Sequence, residues 1–159
     1  MGREDYIVRH IEMVGRFIAQ MLKARGAGRE DQAIQLGIQA VEKLFGMGMG
    51  ELSAYSMDAQ FARLAASYSA NEGRERQFAY ALLLKELGVS YRGGSSPEIA
   101  DVLFKGALWI CLRLMTDGEG PQDGDVVQLA REMLASLPPD TIDAPLEEAL
   151  AMASARPEL

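Results

Sequence analysis

LKELGVSYRGGSSPEIADVLFKGALWICLRLM, residues 84–115, reads as the end of one helix, a Gly-Gly turn and a second helix that is apolar nearly all round. Two starts are open to that second helix. Ser95, with Glu98 three residues on, makes a capping box; alternatively Ser96 caps and Pro97 takes the first helical position. Ile99, Val102, Leu103, Gly106, Ala107, Ile110 and Leu114 are expected to face the core. Phe104, Leu108, Trp109, Cys111 and Leu112 widen the apolar surface, so the helix is expected at the centre of the molecule.

Working outward, the same three- and four-residue recurrence of apolar side chains predicts helices on both sides. Tyr6, His10, Ile11, Val14, Phe17, Ile18 and Met21 predict a first helix over residues 5–24, ended by Gly26 and Gly28. Ala33, Gly37, Ala40, Val41 and Leu44 predict a second over 29–45, with small residues that let a neighbour approach closely. Three glycines at 46, 48 and 50 predict a break, with Met47 and Met49 either as adaptable contact surface or as a plug. A third helix is expected from Ser53 or Ser56 to Ser69, a turn at 71–73, and a fourth helix over 74–91 lying between neighbours. Beyond the quoted stretch, a polar turn at 117–124 precedes a helix capped by Asp125. Pro138-Pro139 stops it, and a short helix over 145–155 closes the chain.

Composition agrees with an all-α protein. Hydrophobic residues make up 48 %, too many for a disordered chain of 159 residues, and Ala, Leu and Met dominate them. Of the formal charge of -7, the residues up to Met115 contribute +1 and those from Thr116 onward -8. An acidic final third repels nucleic acid and anionic lipid, so neither a nucleic-acid nor a membrane partner is expected. A single cysteine, Cys111, allows no intrachain disulfide and fits a reducing compartment. No secretory leader or membrane span is apparent, and a cytoplasmic protein is expected.

Leu84, Leu87, Gly88, Tyr91, Ala100, Phe104 and Ala107 have a spacing that resembles the tetratricopeptide repeat, with Leu84 and Leu112 standing where that motif usually has Trp and Pro. Ala33 and Ala40 echo Ala100 and Ala107 67 positions upstream, with Gly37 where the motif has its aromatic residue. The opening Asp5-Tyr6-Ile7-Val8-Arg9-His10-Ile11-Glu12 is similar to the start of a family of small uncharacterised bacterial tetratricopeptide-like proteins. The resemblance implies stacked antiparallel helical hairpins in a right-handed superhelix of about six to seven helices. It covers about the first 115 residues, a hairpin core at 5–115; the acidic C-terminal helices expected at 116–159 lie outside the resemblance and complete a single domain. In the motif, Gly88 and Ala100 are close-packing positions, while Tyr91, Phe104 and Ala107 fill the layer between hairpins. The family implies no activity, so no residue inherits a role from it.

No pattern in the sequence carries chemistry. His10 is the only histidine and lies beside Ile11 on an amphipathic helix, without the partners that a triad or zinc site needs. Cys111 lies amid Trp109, Ile110 and Leu112, where burial raises a thiol's pKa. Asp117, Glu119, Asp123 and Asp125 lack the glycine and glutamate of a calcium loop. The Gly93-Gly94-Ser95-Ser96 turn lacks the lysine of a phosphate loop. The expectation is therefore a protein without metal or cofactor that is not an enzyme. It is expected to bind a protein or peptide in the groove of the stack, or to assemble as a homodimer without an external ligand. A small-molecule-binding helical protein is a further alternative. Arg9, Tyr55, Tyr80 and Arg113 are the expected exposed contact residues, with Met47 and Met49 as a further contact surface.

Overall fold

In the computed structural model the described residues are 3–94, 96–117 and 124–154, with side chains from residue 9 onward. They form eight α-helices and no strand. These are α1 (Arg3–Gly26), α2 (Glu30–Phe45), α3 (Met49–Ser53), α4 (Met57–Ala65), α5 (Ala70–Gly93), α6 (Pro97–Asp117), α7 (Gly124–Ser136) and α8 (Ala144–Ser154), with a 3-10 turn at Pro139–Thr141. No described helix is long and apolar enough to cross a membrane.

Two long hairpins make the frame. In the first, α1 packs on α2; in the second, α5 packs on α6, and α5 also lies against both α1 and α2. Each hairpin closes through a glycine. Gly88 of α5 faces Phe104 of α6, whose ring is so near that an added Cβ would stand 2.5 Å from Cε1. Gly37 of α2 faces Met21 of α1, where an added Cβ would stand 2.8 Å from Cε, and Leu87 of the neighbouring hairpin at 2.5 Å. Both pairs are sixteen positions apart in the chain, but the small residue is on the first helix in one hairpin and on the second in the other. Phe104 thus fills the crossing inside its own hairpin, where the motif reading expected it between hairpins. Ala33, Ala40, Ala100 and Ala107 are all fully buried.

Three expectations about the elements are corrected. Residues 71–73 are the first turn of α5, not a separate turn. Ser69 Oγ accepts from the Glu72 amide at 3.3 Å, a cap that starts the helix earlier. Gly73 is tolerated there because its missing side chain makes room for Ala65, which would lie 2.8 Å from an added Cβ. The break at 46–50 is shorter than expected. Gly46 ends α2 with φ 70°, and residues from Met49 already form α3, giving one helix more than the six to seven expected. Finally, Asp125 is within the first turn of α7 rather than before it.

The centre is shared. The α6 helix buries a broad surface, as expected, but α5 touches more elements: α1, α2, α4, α6 and α7 all pack on it. The α7 and α8 helices both lie on α6, through Val126, Leu129 and Met133 and through Leu146, Ala149 and Ala153. Between the hairpins, Arg25 of α1 donates to Glu86 of α5 at 2.6 Å and to Ser90 Oγ at 3.2 Å. Such a partly buried, charge-assisted tie fixes one register of α1 on α5.

Candidate functional site

Short helices cannot hold themselves in place, since nucleating a helical turn costs more than a few hydrogen bonds return. The nine residues of α4 are held by polar side chains of α5. Arg76 Nε donates to Leu64 O at 2.8 Å and its Nη1 to Leu44 O at 3.2 Å, so one buried guanidinium serves carbonyls at the ends of both α4 and α2. Its planar group also lies over the rings of Tyr68 and Phe45, at 4.1 and 5.3 Å. Gln77 Nε2 donates to Phe61 O at 2.8 Å. Tyr80 Oη donates to Gln60 Oε1 at 3.2 Å, and Gln60 Nε2 donates to Tyr55 O at 2.8 Å. A cation at a helix C-terminus also meets the negative end of the helix dipole.

Held this way, the start of α4 forms one wall of a groove of about 400 Å³. Its floor is the outer face of α6: Val102, Lys105, Gly106 and Trp109. Ser56, Met57 and Asp58 form one wall, and Asp143 with Pro145 and Leu146 of α8 the other. Val102 is 68 % exposed, the most open large apolar side chain among the described residues. Trp109 is mostly buried, edge-on to Phe61 at 5.9 Å and beneath the Arg113 guanidinium at 5.1 Å.

Ion pairs brace both walls. Lys105 Nζ lies 2.6 Å from Asp143 Oδ2, and the bond from Lys105 is the main reason that the Asp143 carboxyl titrates below its ordinary range. Asp143 Oδ1 also accepts from the Leu146 amide at 3.2 Å, capping α8. Arg113 bonds Asp58 closely and Asp117 at 3.3 Å. Burial opposes the charge of Arg113, but the bonds to Asp117 and Asp58 outweigh it and hold its pKa above the usual value. Ser56 Oγ accepts from the Ala59 amide at 3.2 Å and caps α4.

The residues expected to contact a partner are not gathered into one surface. Tyr80 is corrected outright: it is 2 % exposed, its ring edge-on to Phe45 at 5.6 Å, and burial pushes its phenol up to about 12. On a helix with neighbours on several sides, an amphipathic tyrosine serves the interior. Met47 and Met49 are half-buried and pack against the core. Arg9 is exposed on α1. Tyr55 is exposed beside α4, under the Arg63 guanidinium at 4.5 Å. Arg113 is half-buried near the groove. Conversely, Ile99 and Val102, expected in the core, are exposed. Because α6 is apolar almost all round, its sequence does not say which stripe faces α5. Val102 and the groove were missed for that reason.

The groups with reactive chemistry lie elsewhere. Cys111 is fully buried, with its thiol pushed up to about 12 by burial. His10 is buried with its ring edge-on to Phe45 at 6.0 Å. Burial first, and then the nearby Arg76 charge, lower its pKa to about 4. Among the described residues no cluster of three or more His, Cys, Asp or Glu is placed to hold a metal ion. The Gly94 amide is spent on Ser90 O and Tyr91 O at the end of α5, while Ser95, Glu119 and Asp123 lie outside the described residues. A second cleft, of about 370 Å³, runs between Ile11, Val14 and Ile18 of α1 and Phe78 and Leu82 of α5. His10, Glu75 and Asp125 also line it. The chain matches no family model, no curated protein and no solved structure.

Proposed function

We propose that this chain is a cytoplasmic, non-enzymatic peptide- or protein-binding module of tetratricopeptide-like hairpin design, and that it binds in the α4–α6–α8 groove. One observation carries the reading. An exposed valine and the largely buried Trp109 line a fixed floor between two walls, each braced by an ion pair and each capped by its own polar side chain. Apolar floors with a few placed polar groups at the rim are what binding grooves share. The reading is supported further by the Cys111 thiol, which is fully buried and held protonated by that burial.

Ile99 and Val102, a single turn apart and both exposed, favour one alternative occupant, a second copy of the chain. Val102→Glu separates function from folding. Its side chain is open to solvent, so stability changes by no more than about 0.5 kcal/mol. A charge on the groove floor weakens partner binding at least about tenfold. Affinity capture with the native and Val102→Glu chains side by side, with sedimentation of each, is the test. Partners retained equally by both chains rule out this groove. A dimer lost on Val102→Glu, with no other partner, establishes the alternative.

A further inference from the structure

We infer that the segment taken by the α4–α6–α8 groove is basic, with apolar side chains on the Val102–Trp109 floor and lysine or arginine reaching the carboxylates at its lip. This rests on the peptide-binding reading above. Its ground is the layering of charge. In both bracing ion pairs the cation is the inner partner and the anion the outer one. The side chains of Lys105 and Arg113 are 29 % and 30 % exposed, against 52 % for Asp143 and 73 % for Asp58. An approaching partner therefore meets carboxylate before ammonium or guanidinium.

The neighbourhood has the same sign. Glu147 and Glu148 are exposed in the first two turns of α8, and residues from Thr116 onward carry -8 in all. One effect opposes this. Both walls begin at helix N-termini, each equivalent to roughly half a positive charge. Those ends are already capped, by Ser56 and by Asp143, and each is faced by at least one full negative charge. Lys105 and Arg113 offset two of the carboxylates, so the negative surplus at the lip comes from counting Asp117, Glu147 and Glu148 beside Asp58 and Asp143; long basic side chains suit it because their stems can lie on the apolar floor while their heads stay wet.

Trp109 is the only tryptophan, so its emission reports the groove directly. The full chain is titrated with three end-capped synthetic peptides that share leucines at helical spacing and differ in their flanking residues: lysine, glutamine or glutamate. The expected order is lysine, then glutamine, then glutamate. The lysine peptide should bind roughly tenfold tighter than the glutamine one, and the gap should close when ionic strength is raised about tenfold. Asp58→Asn, with its fold checked by circular dichroism, should move the lysine peptide towards the glutamine one.

If lysine and glutamine peptides bind alike, and Val102→Glu abolishes both, the basic preference is wrong and the peptide reading stands. A glutamate peptide that binds tightest overturns the preference in the same way and assigns the groove to the helix N-termini. If none of the peptides shifts Trp109, the two readings fall together. A Val102-dependent dimer that the lysine peptide does not displace assigns the groove to a second copy and also overturns the inference.

Discussion

The two hairpins solve one packing problem in opposite ways. Where α1 crosses α2, the bulk is Met21 on the first helix and the space is Gly37 on the second. Where α5 crosses α6, the space is Gly88 on the first helix and the bulk is Phe104 on the second. The sixteen-residue offset is common to both. What a helix crossing requires is a matched volume at a given place, and which helix supplies it is free. The hairpins differ also in what they carry. The second supports α4 through Arg76, Gln77 and Tyr80, and α4 in turn builds a wall of the groove.

The largest blow to that asymmetry is Arg76→Met. It leaves the carbonyls of Leu44 and Leu64 without their buried donor, which costs about 3 kcal/mol. Chemical denaturation measures the loss, and hydrogen exchange should place the earliest opening in α4 rather than in α1.

The reciprocal glycines are then told apart by substitution. Gly88→Ala drives a methyl group against the rigid Phe104 ring and should destabilise by about 2 kcal/mol, even after alanine's better helix propensity. Gly37→Ala meets the Met21 methyl, an unbranched end that can turn, and Leu87 at Cδ2 and Cγ, so its loss should be smaller, about 1 kcal/mol after the same propensity gain. Adding Phe104→Leu to Gly88→Ala should recover part of the stability. A purely additive double variant would show that the ring and the glycine are not coupled.

His10 gives the first hairpin a pH dependence. Its folded pKa, about 4, lies below the ordinary 6.5, so between these values the unfolded chain binds more protons than the folded one. Its stabilising contribution is complete above pH 6.5, declines as pH falls towards 4 and is flat below. The loss is on the order of 3 kcal/mol. His10→Gln should flatten this part of the stability–pH curve, as measured by thermal melts across the window. The smallest effect is at Ser67, which joins α4 to α5 with φ 68°, in the left-handed region. Ser67→Gly should relieve that strain and raise stability by about 0.5 kcal/mol.

Much of the fold was legible in the chain. The long helices and their ends at Gly28 and Gly46 follow from apolar periodicity and turn residues, and α6 begins at Pro97 as one of the two readings required. The cap at Ser69 was also there to be read, because Ser69 and Glu72 have capping-box spacing. It was obscured by Gly73, whose role is to admit Ala65 of another helix. The candidate site was much less legible. Periodicity puts Val102 and Gly106 of its floor in the core and Tyr80 at the surface, whereas Val102 is exposed and Tyr80 is core.

The reason is physical. Helix type and extent are set by interactions a few residues apart, together with the solubility of one face, so the sequence by itself determined an all-α chain, its main helices, its acidic end and the small residues where helices cross. Which stripe of a helix faces its neighbours is a property of the assembled whole when that helix is apolar almost all round. Only the tertiary structure decided that Met21 and Gly37 exchange the parts of Gly88 and Phe104, that Arg76 joins the ends of α2 and α4, and that Val102 stays open between α4 and α8.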